Sequence, residues 1–270
     1  MMFAGFALCA QAQTDTIAQS VFAAATSGRV NATDVANFTA DNLGNIYVLT
    51  TTGLLKKFNS KGDSLNVFND VRRYGTVNTI DVTNPFKVLL YYRNFSTAVM
   101  LDRFLNRINT IDFRKADIFQ AKAITLSYDN NVWIYDEQSA KLKKIADDGK
   151  LIIETVDLRQ VLDAAPSPDR IIDRDGYVYV CDVNKGIYIF DYYGALKNSL
   201  AITGMKDVQV INKTILGRRG NKFVRYTLGT LELQEAGLPS KINDATSIYI
   251  MQHGLYVQDS TGVAMYTYPL

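Results

Sequence analysis

The residues that most often carry acid–base or nucleophilic chemistry are scarce in this sequence. Its one histidine, His253, lies between two strand-like runs and is therefore predicted on an exposed hairpin tip. Cys181 lies in the strand-like run that begins at Tyr177, where a cysteine is expected to pack as a small apolar side chain. A catalytic thiol needs an activating base within hydrogen-bond reach. We therefore predict no catalytic residue and no cofactor.

Carboxylates recur where strand-like runs end. Asp136, Asp182 and Asp259 each close a run of aromatic and β-branched residues. A ring of carboxylates is one way to hold a cation, but an aspartate before a tight turn also accepts backbone N–H groups of that turn. Because the position recurs together with the runs, we predict the hairpin role and no metal site.

These runs are parts of a repeat. They begin at residues 45, 87, 131, 177, 214 and 254, so their starts are 42, 44, 46, 37 and 40 residues apart. Each is preceded by one run and followed by a turn and another, which predicts four short strands per repeat. A period near 40 residues with four strands is typical of propeller blades. We predict an all-β, six-bladed β-propeller of four-stranded antiparallel blades; the longest helix-like segment covers residues 158–165.

Turns between the runs carry a family resemblance. Residues 41–48 and 173–180 share the pattern D-x-x-G-x-h-Y-V, where h is apolar, and residues 129–133 form a degraded copy. The sequence thus resembles the six-bladed β-propeller superfamily with NHL-type and TolB-like repeats, over roughly residues 30–270. The resemblance implies a fold and no single activity, because such propellers include lactonases, lyases and non-enzymatic binding modules.

The ends of the sequence predict how the last blade is completed. The sixth repeat has three runs and lacks a fourth, while the apolar segment 20–26 is left over. We predict that this N-terminal segment pairs with residues 262–268 as an outer strand, because pairing hides an otherwise open sheet edge.

The connections into the innermost strands are the predicted binding region. In a propeller they line one mouth of the channel, and loops on a rigid scaffold carry binding chemistry. A mixed set of charges suits a peptide or protein segment better than an apolar small molecule. The repeat alignment places eight residues at this mouth: Asp34, Asn78, Lys122, Asp169, Lys206, Asp207, Asn243 and Asp244.

Basic clusters and tyrosine pairs are the other groups of side chains to which a role can be assigned. A basic hairpin in the fifth repeat could grip an acidic partner segment, because guanidinium groups bind carboxylates strongly; it holds Arg218, Arg219, Lys222 and Arg225. A solvated surface is the alternative there, and it is also the expectation for the pairs Arg72, Arg73, Lys143 and Lys144. Most rings of the tyrosine pairs are expected in the core between blades: Tyr91, Tyr92, Tyr192 and Tyr193.

The first residues predict export. Residues 2–9 are apolar and precede Ala10-Gln11-Ala12, whose small residues fit a signal-peptidase site after Ala12. A buried first strand or helix is the alternative, and Leu8 makes Cys9 a poor lipidation site. We predict a signal peptide over residues 1–12, one propeller domain over residues 13–270, and a periplasmic or secreted location. Without Cys9, no intrachain disulfide forms.

Composition narrows the partner classes. Lys+Arg 29 against Asp+Glu 27 leaves a net charge of +2, which favours neither nucleic acid nor an anionic membrane as a partner. No apolar run approaches the roughly 20 residues of a membrane-spanning helix. We predict a non-catalytic protein-interaction propeller, a subunit or accessory of a cell-envelope assembly such as one on an outer-membrane export channel.

Two alternatives remain open. One is a metal-dependent hydrolase or lyase of the lactonase kind, which the family resemblance implies. Such lactonases hold a divalent cation with carboxylates and amides near the axis, or use a histidine pair. No matching glutamate begins the first repeat, and one histidine cannot make a pair. The other alternative is a module for small ligands or glycans, which would have exposed aromatic rings at one channel mouth.

Overall fold

The structure is a computed structural model of the 270-residue chain, and it describes residues 25–238, 242, 244–252 and 254–267. Over these residues the fold is that of an all-β, six-bladed β-propeller with four-stranded antiparallel blades, as the repeat predicts. The described residues divide into two compact units. We call residues 32–204 the four-blade unit, and the described parts of residues 1–31 and 205–270 the two-blade unit. The predicted boundary at residue 12 lies outside the described residues.

Strand β1 (Ala25–Asn31) belongs to the two-blade unit, and strands β2 to β17 form the four-blade unit. Each blade is a meander in chain order, and the first strands of neighbouring blades contact one another, so they are innermost. Blade 1 has β2 (Val35–Ala40), β3 (Ile46–Thr50), β4 (Leu55–Phe58) and β5 (Ser64–Phe68). Blade 2 has β6 (Thr79–Asn84), β7 (Lys87–Tyr92), β8 (Thr97–Asp102) and β9 (Arg107–Asp112). Blade 3 has β10 (Ala121–Leu126), β11 (Val132–Asp136), β12 (Lys141–Ile145) and β13 (Leu151–Glu154), and blade 4 has β14 (Arg170–Arg174), β15 (Tyr177–Asp182), β16 (Gly186–Asp191) and β17 (Leu196–Leu200).

The two-blade unit has the same design. Blade 5 has β18 (Lys206–Ile211), β19 (Thr214–Arg219), β20 (Lys222–Thr227) and β21 (Glu232–Gly237). Blade 6 has β22 (Ser247–Met251), β23 (Gly254–Asp259), β24 (Gly262–Thr267) and, next to β24, the N-terminal strand β1.

Second strands carry most of the core. Strands β3, β7 and β11 are buried along their whole length, because apolar layers cover both faces of each blade. A strand buried on both faces has a continuous apolar sequence instead of an alternating one. Tyr91 and Tyr92 lie in opposite layers of this core, as predicted. The core prediction is wrong for Tyr193, which is 87% exposed because it lies at the tip of the β16–β17 turn.

Helical structure is confined to short segments in the described part of the chain. Helix α1 (Val71–Tyr74) and the 3₁₀ turns Arg93–Phe95, Phe113–Ala116 and Leu158–Gln160 lie between strands. The helix-like segment 158–165 thus forms one turn, since a helix of that length needs tertiary packing along a face. Here Leu158 is buried, while Val161, Asp163 and Ala164 are exposed.

The D-x-x-G turns have a left-handed backbone conformation at the glycine position. Gly44 and Gly176 have φ angles of 80° and 87°, a left-handed conformation that glycine adopts without steric cost. In blade 3 this position is Asn130, with φ 66°, and asparagine tolerates that region better than most residues. The aspartate position of that turn is therefore Ser127, two residues before the alignment chosen from the sequence.

Strand β1 completes the last blade, as predicted, but it lies further along the chain. It pairs antiparallel with β24, with Val30 opposite Val263 and a bulge between Thr26 and Gly28. The predicted segment began at residue 20, and residues 20–24 lie outside the described part. Val30 is 1% exposed, so this strand buries a valine as it pairs with β24.

An ion pair at the end of β1 predicts how acid affects this closure. The Arg29 guanidinium hydrogen bonds to Asp259 and holds the pKa of that carboxyl well below its usual range. A carboxyl whose pKa is lower in the folded state stabilises the fold at pH values above its unfolded-state pKa of about 4. That stabilisation is lost as the pH falls through the folded-state pKa.

We expect Asp259→Asn to destabilise the protein above about pH 5, and the difference in unfolding free energy from wild type to shrink below about pH 4. Urea unfolding across this pH range measures it. Arg29→Met should give the same pH dependence, and a difference independent of pH would contradict the assignment.

Candidate functional site

Most of the predicted mouth residues lie at equivalent points of the blades. Asp34, Asn78 and Asp169 directly precede β2, β6 and β14, and Lys122 is the second residue of β10. Because the strands of a blade alternate in direction, the loops from second to third strands lie at this same end. We call this end of the four-blade unit the entry end.

Arginine and glutamate side chains that sequence reasoning missed connect the mouth residues. The Asn78 Oδ1 accepts a hydrogen bond from the Arg93 backbone N–H at 2.7 Å, and Arg93 Nη2 donates to the Lys122 carbonyl at 3.0 Å. Lys122 Nζ lies 3.7 Å from Glu137 Oε1, which accepts from Ser167 Oγ at 2.6 Å. Three neighbouring blades are thereby tied together by polar contacts. Arg93 and Glu137 each follow a second strand, which is the signal that could have identified them.

The remaining mouth carboxylates of this unit have local partners. Asp169 Oδ2 accepts the Val183 backbone N–H at 3.1 Å within its own blade. Asp34 Oδ2 lies 4.0 Å from Lys56 Nζ. Asp169 is exposed and the Asp34 side chain is 42% exposed, so both add charge to the entry end, and their separate partners keep them from converging on one point.

Mouth residues of the two-blade unit have different surroundings. Asp207 is in a left-handed conformation with φ 54° and accepts from Arg218 Nε at 2.7 Å and Ser247 Oγ at 2.9 Å. It therefore joins blades 5 and 6. Lys206 and Asp244 are exposed. Asn243 and His253 lie outside the described residues, so their predicted roles stay predictions.

The basic hairpin has partners within its own unit. Arg218 is largely buried and also donates to the backbone carbonyls of Ala245 and Thr246. Arg219 and Lys222 both form ion pairs with Glu235 on β21. Arg225, on β20, is half-buried opposite Leu216 and Gln234. An acidic partner would have to compete with these intramolecular carboxylates, and the partner-binding role stays a prediction.

The recurring aspartates have the hairpin role that the repeat predicts. Asp182 Oδ1 accepts the Asn184 N–H at 2.8 Å, and Asp259 Oδ1 accepts the Thr261 N–H at 2.8 Å. Asp136 Oδ1 accepts from the N–H two residues further on, at 3.3 Å. Within the described ranges, no group of three or more His, Cys, Asp or Glu side chains is placed to hold a metal ion.

Lys143 and Lys144 contradict the prediction of a solvated surface. Lys143 Nζ lies 2.8 Å from Asp136, and both side chains are buried. Lys144 Nζ lies 2.6 Å from Asp129 and 5.1 Å from the ring centre of Trp133. Strand pairing brings carboxylates from seven and fifteen residues away to these ammonium groups, which is why neighbouring sequence did not reveal it.

Cys181 is a buried, free thiol. Desolvation raises the pKa of this thiol to about 12, so it stays protonated at neutral pH. A protonated thiol is a poor nucleophile. The predicted role of a small apolar side chain is confirmed.

A cavity opens at the other end of the four-blade unit, where sequence analysis placed no site. We call this the turn end, because the turns between first and second strands of blades 1 to 4 lie there. The cavity has a volume of about 510 Å³. Exposed apolar side chains line it at the turn tips, namely Leu43, Phe86 and Tyr128. One such residue in each of the turns of blades 1, 2 and 3 was the signal in the sequence, but the turn pattern indicated only the fold.

Buried carboxylates hold the walls of this cavity. Asp173 Oδ2 accepts from Ser127 Oγ at 2.8 Å and Trp133 Nε1 at 3.1 Å, and Asp173 Oδ1 accepts from Tyr192 OH at 2.6 Å. Burial and the bond to Asp173 raise the pKa of Tyr192, so its hydroxyl remains a donor. Asp41, at the same motif position, instead bonds to its own turn and to Tyr47 OH. Asp173 thus ties blade 4 to blade 3.

Comparison with known proteins finds similarity of fold. No protein-family model and no curated protein matches the chain. A streptogramin B lyase structure has a TM-score of 0.60 and 14% identity, with 92% of this chain and 87% of that chain covered. A catalytically inactive virginiamycin B lyase from Staphylococcus aureus with quinupristin has a TM-score of 0.63 and 12% identity, with coverage of 89% and 98%. The Neurospora crassa Pan2 WD40 domain has a TM-score of 0.61 and 12% identity, with coverage of 87% and 79%.

The names of these neighbours describe two lyases and one WD40 domain. At 12–14% identity, the similarity shows the fold alone. No helix in the described ranges has the length and apolarity to cross a membrane. The repeat period, the four-stranded blades and the structural neighbours together show that this chain has the fold of a six-bladed β-propeller.

Proposed function

We propose that this protein is a non-catalytic protein-interaction propeller whose entry end docks a segment of a partner protein. The observation that carries the proposal is a set of exposed apolar side chains on the same connections as the paired charges. Phe95 is 44% exposed and Phe119 is 55% exposed. The Ser96 hydroxyl donates to the Phe119 carbonyl at 3.4 Å, so these two connections are adjacent.

The next connection extends this surface. Val156 and Val161, between β13 and β14, are 59% and 53% exposed. Between them Arg159 pairs with Asp157 at 2.6 Å. Aromatic residues and arginine are enriched in protein interfaces, where apolar contacts supply affinity and polar groups supply register. Apolar side chains set among fixed ion pairs therefore suit a partner segment with apolar and charged residues of its own.

We further propose that the protein works in the cell envelope, as a subunit or accessory of an export or surface assembly. The apolar residues 2–9 and the small residues Ala10 and Ala12 support this location. The competing function, a metal-dependent hydrolase or lyase, needs several carboxylate or amide ligands that converge on one point with an open coordination position. The entry-end carboxylates of the four-blade unit have separate partners instead.

Site-specific photo-crosslinking tests the docking surface. A photoreactive phenylalanine analogue at position 119 is expected to give one discrete adduct with an envelope protein in living cells. Val67 on β5 is 56% exposed and serves as the matched control, which should give no such adduct. Adducts of equal yield from both positions would contradict docking at the entry end. One tightly bound divalent ion per chain, together with lactone hydrolysis lost in Asp169→Ala, would favour the enzyme instead.

A further inference from the structure

The cavity at the turn end has one wall made of a rigid, exposed aromatic ring. Tyr128 is 66% exposed. Its ring stacks on that of Tyr192, with ring centres 4.5 Å apart and an interplanar angle of 18°. Lys144 Nζ lies 5.1 Å from the Tyr128 ring centre and 5.8 Å from that of Tyr192. Asp173 holds the Tyr192 hydroxyl. A ring that is already immobilised loses little conformational entropy when a ligand packs on it.

A second wall of the cavity is also fixed in place. Phe86 is 60% exposed at the tip of the β6–β7 turn. The Asn84 Oδ1 accepts the Phe86 N–H at 2.9 Å, and the Asn84 Nδ2 donates to Asn130 Oδ1 at 2.9 Å. The turn that presents Phe86 is thereby bound to the turn that presents Tyr128. Leu43 adds a third apolar side chain from blade 1.

The polar groups of the cavity do not favour a ligand of either charge. Arg174 and Asp175 are neighbouring, exposed and opposite in charge. The charge of Asp173 is neutralised in part by the donors that surround its two oxygens, and Lys144 is paired with Asp129. Asn42 and Thr83 contribute groups that donate and accept hydrogen bonds.

We propose that this cavity binds a neutral oligosaccharide, with one pyranose ring stacked on Tyr128. A pyranose has an apolar C–H face and a rim of hydroxyls that both donate and accept hydrogen bonds. That chemistry matches an exposed ring beside amide, hydroxyl, guanidinium and carboxylate groups. The volume of about 510 Å³ lies within the usual range for small-molecule sites. This site is at the opposite end of the blades from the docking surface, so each can be tested without the other.

The chain contains its own reporter for this test. Trp133 is the only tryptophan in the sequence, and its Nε1 donates to Asp173 beside the stacked rings. Fluorescence and calorimetric titrations with cellohexaose, maltohexaose, xylohexaose, mannohexaose and chitohexaose are expected to give saturable binding for at least one of them. Tyr128→Ala should weaken that binding by about tenfold or more, which corresponds to about 1.4 kcal/mol. Tyr128→Phe should keep the affinity within about threefold, because the ring remains.

Two further variants make the outcome decisive. Phe86→Ala removes the second apolar wall and should also weaken binding, which provides a second result if Tyr128→Ala folds poorly. Tyr193→Ala is the matched control, since Tyr193 is 87% exposed next to Tyr192 in the sequence and does not line the cavity. It should bind like wild type. Absence of binding by every sugar at about 10 mM, a concentration that detects even millimolar affinities, would overturn the proposal. Binding unchanged in both wall variants, or binding of tryptophanamide and of no sugar, would overturn it as well.

Discussion

Removal of residues 1–31, and with them strand β1, should cost the two-blade unit several kcal/mol of folding free energy, comparable to the total of about 5–15 kcal/mol typical of a domain. The deletion takes the antiparallel partner from β24 between Gly262 and Thr267. It also removes Val30, which is 1% exposed, and the ion pair of Arg29 with Asp259. Unpaired backbone groups on β24 would then form an open edge that favours aggregation.

A truncation that begins at Ala25 is the matched control for this experiment, because it keeps all of β1. Calorimetry should show its unfolding temperature close to that of the full chain, whereas the protein that begins at residue 32 should melt far lower. Hydrogen exchange of the β24 amides should be faster in the shorter protein alone. Equal melting of the two truncations would mean that β1 contributes little. Trp133 lies in the four-blade unit, so its fluorescence is unsuited to this measurement.

Asp173→Ala should destabilise the four-blade unit by about 3–5 kcal/mol. It leaves Ser127 Oγ, Trp133 Nε1 and Tyr192 OH without the acceptor that they share. Each buried donor without a partner costs about 1–3 kcal/mol. Urea unfolding followed by Trp133 fluorescence measures this loss directly, since the tryptophan donates to the altered side chain.

Asp173→Asn is the control that separates the loss of the negative charge from the loss of the hydrogen bonds. Its amide oxygen can take the place of Oδ2 and keep Ser127 and Trp133 as donors, while the Tyr192 hydroxyl can rotate to accept from the amide N–H. We expect a loss of about 1–2 kcal/mol, because charge-assisted bonds are stronger than neutral ones. Losses of equal size in the two variants would mean that the charge, and not the set of bonds, accounts for the effect.

Much of this fold follows from local pattern. Strands such as β7 and β11 are buried on both faces, so their sequences are continuous apolar runs that recur with each blade. The turns after the first strands need a residue in the left-handed region, which Gly44 and Gly176 supply. Carboxylates such as Asp182 that close a strand bond to the next turn, within two or three residues. Repeat number, strand order and the role of these aspartates could therefore be predicted from sequence alone.

Contacts between neighbouring blades were decided by the tertiary structure. Repeat alignment assigns a position within a blade, but it does not say which side chain of the next blade lies opposite. Asp41 and Asp173 share one motif, yet Asp41 bonds within its turn and Asp173 bonds to Trp133, 40 residues away. Lys144 has the pattern of a surface lysine until strand pairing brings Asp129 to it.

The same reason explains the strand boundary and the cavity. The strand that pairs with a sheet edge is determined by which side chains it can bury and which ion pairs it can form there. Arg29 on β1 bonds to Asp259, which is 230 residues away in the sequence. The rings at the turn end come from separate repeats, and nothing in one repeat predicts that Phe86 and Tyr128 line one cavity. The sequence by itself determined the blades, their strands and their turns. The tertiary structure alone decided the bounds of the closing strand, the buried ion pairs and the cavity, because each depends on side chains brought together from separate strands or blades.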